Sequence, residues 1–487
     1  MPTPTFTRII SNATVLDGSG QAAYQADVGI ALGKIHTIAA PHSLQGSQKI
    51  DASGLVLAPG FIDVHTHDDR EALDHPSMLP KLTQGVTTVI TGNCGISLAP
   101  WKAQFAPPAP LSLIGQEKDF RFASVADYFE ALAQGQPAIN VGALIGHSTL
   151  RVNAMQDLTR GANAQEIAQM QQLLEEGMRV GALGFSSGLF YQPSKAADNT
   201  EIIALAKISA AAGGVYTSHI RDEYDGVIAA LAEACDAGQA AQLPVILSHH
   251  KCAGPANWGR TCETLAYIQQ RRLTQTIGVD AYPYTAGSTV LDPNYVDGVI
   301  RIMLSFSEPH PEMVGRDLAD IAQEWGVNQK QAALRLQPAG AVYFQMHEDD
   351  VRRVLSDSNT MIGSDGLPHD THPHPRLWGA FPRVLGHYSR DEKLFSLSEA
   401  VRRMTTLSAD HFGLKQRGRI AQNCWADLVL FDPATIADQA TFSNPKQAAM
   451  GIHWVLVNGE IALANGVPTS ARHGRVLRRQ SEALELN

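Results

Sequence analysis

Cysteine is scarce in this sequence, with five scattered over 487 residues. That excludes a disulfide scaffold and points to a reducing compartment in which one or two thiols at most carry chemistry. Long apolar runs are missing too. None approaches the ~18 residues that span a bilayer, and the amino terminus, MPTPTFTRII, has no apolar segment of signal-peptide type. Positive charge is in deficit: 38 Lys and Arg face 48 Asp and Glu, giving a net charge of −10. No basic face is expected, so nucleic acid is excluded as a partner, and no membrane partner is expected either. Repeats and low-complexity tracts are absent as well. What remains is a globular chain with a cytoplasmic character, long enough for one large domain and a smaller one. Oligomeric state stays open.

Short strands separated by turns open the chain: Arg8–Val15, Ala26–Leu32 and Ile35–Ile38, with Asp-Gly-Ser-Gly at 17–20. The carboxyl end has the same style. Asp427–Phe431 and Trp454–Val457 read as strands, and Asn458-Gly459 is a hairpin turn before Glu460–Ala464. The two ends together predict one small β-sandwich domain, residues 1–58 plus 413–487. Between them strands alternate with helices. Strands are expected at Gly60–Val64, Thr87–Thr91, Ile139–Ile145, Ala182–Phe185, Gly214–Ser218, Pro244–Leu247, Thr276–Ala281 and Thr360–Gly363. Among the helices, one carries Ile167, Met170, Leu174 and Met178 at helical spacing, behind a capping pair Asn163 and Glu166. Eight such strands predict an α/β fold, a (β/α)8 TIM-like barrel over residues 59–412. The connection between strands seven and eight is too long. Residues 285–348 read as an insertion, a lid on the active-site side.

Barrel enzymes place their reactive groups at the carboxyl ends of strands. Strand one ends His65-Thr66-His67, and alternation puts both imidazoles on one face. Strand two ends Gly92-Asn93-Cys94-Gly95, where the glycines permit close backbone approach and a thiolate can reach a metal. Strand five ends at His219, strand six at His249-His250, and strand eight at Ser364-Asp365. Four histidines, one cysteine and one aspartate thus converge on one rim. Imidazole with thiolate favours zinc over magnesium or calcium. Zinc brings the pKa of its water to about 7. Asp365 is then placed to take the proton from that water and deliver it to a leaving nitrogen. Such machinery suits hydrolysis of an amide carbonyl.

These motifs resemble the amidohydrolase superfamily, in which strand one carries His-x-His, strands five and six a histidine, and strand eight an aspartate. The stretch GRIAQNCWADLVLFDP at 418–433 is similar to the family's return into the terminal β domain, with Asn423 where glycine is usual. Strand four ends Gly184-Phe185-Ser186-Ser187-Gly188, without the bridging lysine or glutamate of most two-metal members. With Cys94 in its place, the chain resembles the N-acyl-D-amino-acid deacylase (D-aminoacylase) branch. The likeness covers nearly the whole length, through GFIDVHTHDD, QGVTTVITGNCGISLAP, TSHIRDE, SHHK, DAYPY, IGSDGLPHD and HPHPRLWG. It implies one tightly bound Zn2+ on Cys94, His219 and His249, and a second, weaker site of His65, His67 and Asp365 with Cys94 bridging. It also implies Asp365 as general acid/base, and an N-acyl-D-amino acid as substrate.

The substrate's α-carboxylate needs a cation. Lys251 and Arg376 are the candidates, with Tyr191, Tyr282 and Ser288 as neutral donors. Arg221 is expected to position Asp222 or Glu223. His147 either lines the pocket or is a buried, hydrogen-bonded histidine. Cys235, Cys252, Cys262 and Cys424 read as structural. The D preference comes from the resemblance alone. Side-chain preference stays open between apolar and acidic; KCAGPANWG at 251–259 has the look of the acidic-preferring branch. Two alternatives remain: another amidohydrolase, of cyclic-amidase or D-dipeptidase type, disfavoured by the missing lysine, and a non-catalytic metal-binding barrel.

Overall fold

The computed structural model describes residues 6–46 and 48–479. Residues 1–5, part of the stretch read for a signal peptide, lie outside the described residues, as do 47 and 480–487.

The barrel strands fall where apolar β-branched runs meet turn residues. In chain order they are Phe61–Asp63, Val86–Thr91, Asn140–Ala143 continued by Ile145–Gly146, Gly184–Gly188, Val215–His219, Val245–Leu247, Ile277–Ala281 and Thr360–Ile362. Each pairs in parallel with the next. The ring closes through a parallel bridge between Thr66 and Gly366. There the Asp365 amide donates to the His65 carbonyl at 2.7 Å, and the His67 amide to Gly366 at 3.1 Å. Strand alternation sorts the core in two. Ile62, Ile90, Val215, Ile246 and Met361 pack together with Leu407 and Phe412. Their neighbours Phe61, Val89, Tyr216, Val245 and Ile362 join the core under the surrounding helices. One of these helices, Ala164–Arg179, starts on the expected box: Asn163 accepts from the Gln165 and Glu166 amides, and Glu166 accepts from the Asn163 amide. Such a cap stabilises by about 1 kcal/mol.

Both chain ends meet in one nine-stranded sheet. Val56–Pro59 pairs with Leu428–Phe431 and leads straight into the first barrel strand. The sheet curls back on itself: its edge strand at Ile35 bonds the segment that leads into Leu428–Phe431, through Ile35 N to Cys424 O at 2.8 Å and Asn423 N to Ile35 O at 2.8 Å. Ile10, Val28, Ile30, Leu428, Leu430 and Leu456 fill the space enclosed. Asn423 has φ +68, a conformation asparagine tolerates. The last strand, Val476–Leu477, leaves this sheet and pairs beside Asn140–Ala143 of the barrel.

The segment before barrel strand eight carries more than helices. Gly287–Val290, Ile302–Ser307 and Ala339–Tyr343 form an antiparallel sheet. Helices Leu318–Glu324 and Gln329–Arg335 share a separate core with it, including Leu304, Leu318, Ile321 and Leu336. Among the described residues, no helix is long and apolar enough to cross a membrane.

Candidate active site

Backbone geometry delivers the rim residues. Gly92, at φ +77, passes so close to strand three that a Cβ would lie 2.1 Å from the Leu144 carbonyl oxygen. This lets Cys94 turn in over the barrel mouth. Cys94 (φ +53), His249 (φ +36) and Asp365 (φ +50) all adopt left-handed backbone. Each costs on the order of 1–3 kcal/mol and aims a side chain that a regular strand would send elsewhere.

The side chains converge in two buried groups that share one sulfur. His65, His67, Cys94 and Asp365 place ligand atoms within 4.8 Å of one another, and so do Cys94, His219 and His249. Cys94 Sγ lies 3.2 Å from His65 Nε2 and 3.4 Å from His249 Nε2. His249 Nε2 is 2.8 Å from His219 Nδ1. Asp365 Oδ1 is 3.4 Å from His65 Nε2 and 3.2 Å from His67 Nε2. His250 faces away and bonds Thr264 Oγ1 at 2.7 Å.

Electrostatics say what belongs there. Burial alone would raise the Cys94 thiol, but the His65 and His249 rings and hydrogen bonds from His219 and His249 hold it well below the usual range. Burial would also raise Asp365; Arg376, His65 and His67 hold it well below the carboxylate range. Burial disfavours a charged His67, yet Asp365 and Cys94 raise it to about 9. A buried thiolate and carboxylate thus bind protons on the rings where a divalent cation would serve both. One thiolate with two imidazoles is a zinc donor set, and the residues fit that ion.

A cavity of about 480 Å³ opens on the cluster. Lys251, Tyr191, Tyr282 and Ser288 line it, with Ile96, Leu113 and Leu367 as apolar wall. The Tyr282 hydroxyl and Ser288 Oγ are buried without a hydrogen-bond partner among the described residues. The Tyr191 hydroxyl meets Thr289 Oγ1 at 2.9 Å, and its ring packs on His219. Lys251 donates to Glu223 at 2.5 Å and sits 2.8 Å from His249 Nδ1. Arg376 is 2.9 Å from Asp365 Oδ2 and stacks on the Tyr282 ring. Arg221 departs from expectation. It forks onto Glu233, at 2.8 Å for both bonds, while Asp222 accepts from the Tyr224 and Gly226 amides. The turn after strand five sends Arg221 outward. His147 is the buried, bonded kind, with Nε2 2.7 Å from Glu201. All five cysteines are unpaired.

Three contributors escaped the sequence reading. Glu223 holds Lys251. Asp280, in the DAYPY motif at the end of strand seven, touches His65 and His249. Lys81, fully buried, bonds Asp63 at 2.8 Å and Ser364 at 2.6 Å, bracing the seam where strands one and eight meet. The position of Asp280 at a strand end was a usable signal. Lys81 gives none, because a lysine in a short helix reads as solvated.

Comparison with known proteins gives a consistent picture. The amidohydrolase family profile matches residues 48–261 and 311–463. D-aminoacylase of Alcaligenes xylosoxydans xylosoxydans is 48% identical over 97% of this chain and 98% of its own length. N-acyl-D-glutamate deacylase of the same organism is 45% identical over 97% of this chain and 96% of its own length. The crystal structure of N-acyl-D-glutamate deacylase from Bordetella bronchiseptica, complexed with zinc and a phosphonate mimic of the tetrahedral intermediate, superposes with a TM-score of 0.95. It is 44% identical and covers 98% of this chain and all of its own.

Proposed function

Because the chain belongs to the amidohydrolase family, we propose that it hydrolyses the amide bond of N-acyl-D-amino acids, releasing a carboxylate and a free D-amino acid. The observation that carries this reading is the Cys94 sulfur shared by two buried ligand groups, with the Asp365 carboxylate beside them. Cys94, His219 and His249 would hold one zinc tightly, and His65, His67 and Asp365 a second, weaker one across the same sulfur. When bound, zinc supplies a Lewis acid that makes water acidic near neutral pH and polarises the amide carbonyl.

The protein's own groups do the rest. Arg376 keeps Asp365 ionised, so Asp365 begins the cycle able to accept the proton of the attacking water. It then passes that proton to the leaving nitrogen. Lys251 and Tyr282, with Ser288, anchor the α-carboxylate in the cavity. Residues 285–348 act as the cover of that cavity, to which Ser288, Thr289 and Tyr343 contribute walls. Five unpaired cysteines, one needed as a thiolate, support a cytoplasmic location.

For the substrate side chain we take a neutral group. Lys251 is the one Lys or Arg lining this cavity among the described residues, and it already faces Glu223; Arg376 faces Asp365 and is not part of the lining. A second substrate carboxylate confined to this cavity, short of Lys195 in the adjoining one, would be buried without a partner, at a cost of roughly 3–5 kcal/mol. The test is a panel of N-acetyl-D-methionine, N-acetyl-D-glutamate and their L isomers, with and without chelator. Expected is release of D-methionine, abolished by chelator and by Asp365→Ala, with the D-glutamate derivative at least about 100-fold slower in kcat/KM. Ring opening of hydantoins with no deacylation would overturn the reading, as would no turnover by folded, zinc-loaded protein.

A further inference from the structure

Asp280 belongs to neither ligand group, yet it touches both. Its side chain is 2% exposed. Oδ1 accepts the His249 backbone N–H at 2.8 Å and lies 3.1 Å from His65 Nδ1. Oδ2 is 3.3 Å from that same ring nitrogen. One carboxylate therefore meets the ring of a residue in the weaker group and the main chain of a residue in the tighter one. The contacts act differently on the two. At His65 the carboxylate holds a ring proton on Nδ1, so that the Nε2 lone pair would be the one offered to a cation between Cys94 and Asp365. At His249 it tethers the main chain of a residue in left-handed backbone, at φ +36, by accepting its N–H. There is little slack. A Cβ on Gly363 would lie 2.4 Å from the His65 Cβ and 3.3 Å from Asp280 Oδ1, so only glycine lets the ring and carboxylate lie side by side.

We infer that Asp280 is a positioning residue that clamps His65 and His249 together, setting the metal affinity of the weaker group through the His65 tautomer while steadying the tighter group through the main chain. This rests on the reading of the cluster as a zinc site. Asp280→Asn acts on the two contacts unequally, because an amide oxygen held at Oδ1 by the His249 N–H turns the NH2 to the Oδ2 position, 3.3 Å from His65 Nδ1, and removes the charge. The amide oxygen can still accept the His249 N–H, but the amide NH2 opposes a proton on His65 Nδ1 and favours the tautomer protonated on Nε2.

The test is zinc titration against a competing chelator, on full-length protein stripped of metal, wild type beside Asp280→Asn. Expected are two binding steps in the wild type, with the weaker one lowered about 10–100-fold in the variant and the tighter one within about threefold. Asp280→Ala, which removes both contacts, weakens both steps. Equal loss of both steps in Asp280→Asn, or loss of neither, overturns the inference. Nitrogen NMR of His65 in the metal-free wild type gives a second reading that needs no variant. In that metal-free state the ring can carry both protons, so the reading is taken again with zinc bound: a proton kept on Nδ1 is expected, and a proton on Nε2 with Nδ1 bare overturns the clamp. A wild type that binds no zinc at all would instead sink the proposed function.

Discussion

The hairpins of the curled sheet and the rim of the barrel both use left-handed backbone, and different residues adopt it in each. In the sheet three two-residue hairpin turns carry it, Leu32-Gly33, Asn458-Gly459 and Asn465-Gly466, all with φ between 51° and 84°. Asparagine and glycine tolerate that geometry, and the turn fits the strand twist. On the barrel rim it falls on Cys94, His249 and Asp365. Cysteine avoids it and histidine and aspartate enter it less readily than glycine, yet all three are among the six ligand candidates. The sheet uses positive φ to reverse the chain at low cost. The rim spends stability to point three side chains at one place.

The sharpest break of this contrast is at Cys94. Cys94→Gly and Cys94→Ala both remove the shared sulfur, so both should lower zinc affinity and activity by at least about 100-fold, since even outer partners of a metal site cost 10–100-fold. Their stabilities should differ. In metal-free protein the glycine variant should be the more stable by roughly 1 kcal/mol in urea denaturation, because only alanine keeps a Cβ in the left-handed region. An alanine variant equal to or above the glycine one would mean that the rim holds no such strain.

A second comparison sets His249 against its neighbour His250. Burial, then the Lys251 cation, lower the His250 pKa from 6.5 to about 4. The unfolded chain takes up that proton near pH 6.5 and the folded chain does not until about pH 4. Stability is therefore intact above 6.5 and lost as pH falls through that interval, by up to about 3 kcal/mol. Metal-free His250→Asn should lose correspondingly less between pH 6.5 and 4, measured as the urea midpoint. Identical slopes would assign the acid sensitivity to other groups.

Much of this architecture is legible in the sequence, for physical reasons. Strands buried on both faces are apolar runs bounded by glycine and proline, so all eight barrel strands lie within a few residues of where their runs predict. Residues at the ends of such strands converge by construction, which is why His65, Cys94 and His219 could be named together. Geometry off the strand axis is not legible. Whether His249 or His250 turns inward depends on a φ of +36 anchored by Asp280, two segments away in the barrel. The Glu223–Lys251 pair and the Lys81 brace are long-range ion pairs between buried groups, and composition along the chain carries no trace of such partners. Nor does it reveal that Val476–Leu477 would leave the terminal sheet for the barrel, since two residues are too few to carry a pattern.

The smallest expected effect lies in the sheet, at the one hairpin that breaks its own rule. Leu32 has φ +53 at the first turn position, where the other two hairpins have asparagine. Its side chain is 92% exposed, so replacing it gives up no burial. Leu32→Asn should therefore stabilise the protein by roughly 0.5–1 kcal/mol without changing kcat/KM. The reciprocal change, Asn465→Leu at another exposed turn, should cost a similar amount. Asn458 is unsuited to this exchange, because its side chain is buried and bonded to Arg417, Asn140 and the His473 carbonyl. If Leu32→Asn leaves the urea midpoint unmoved while Asn465→Leu lowers it, the asparagines act through local contacts and not through φ. The low cost assigned to left-handed turns in the sheet would then have to be argued hairpin by hairpin.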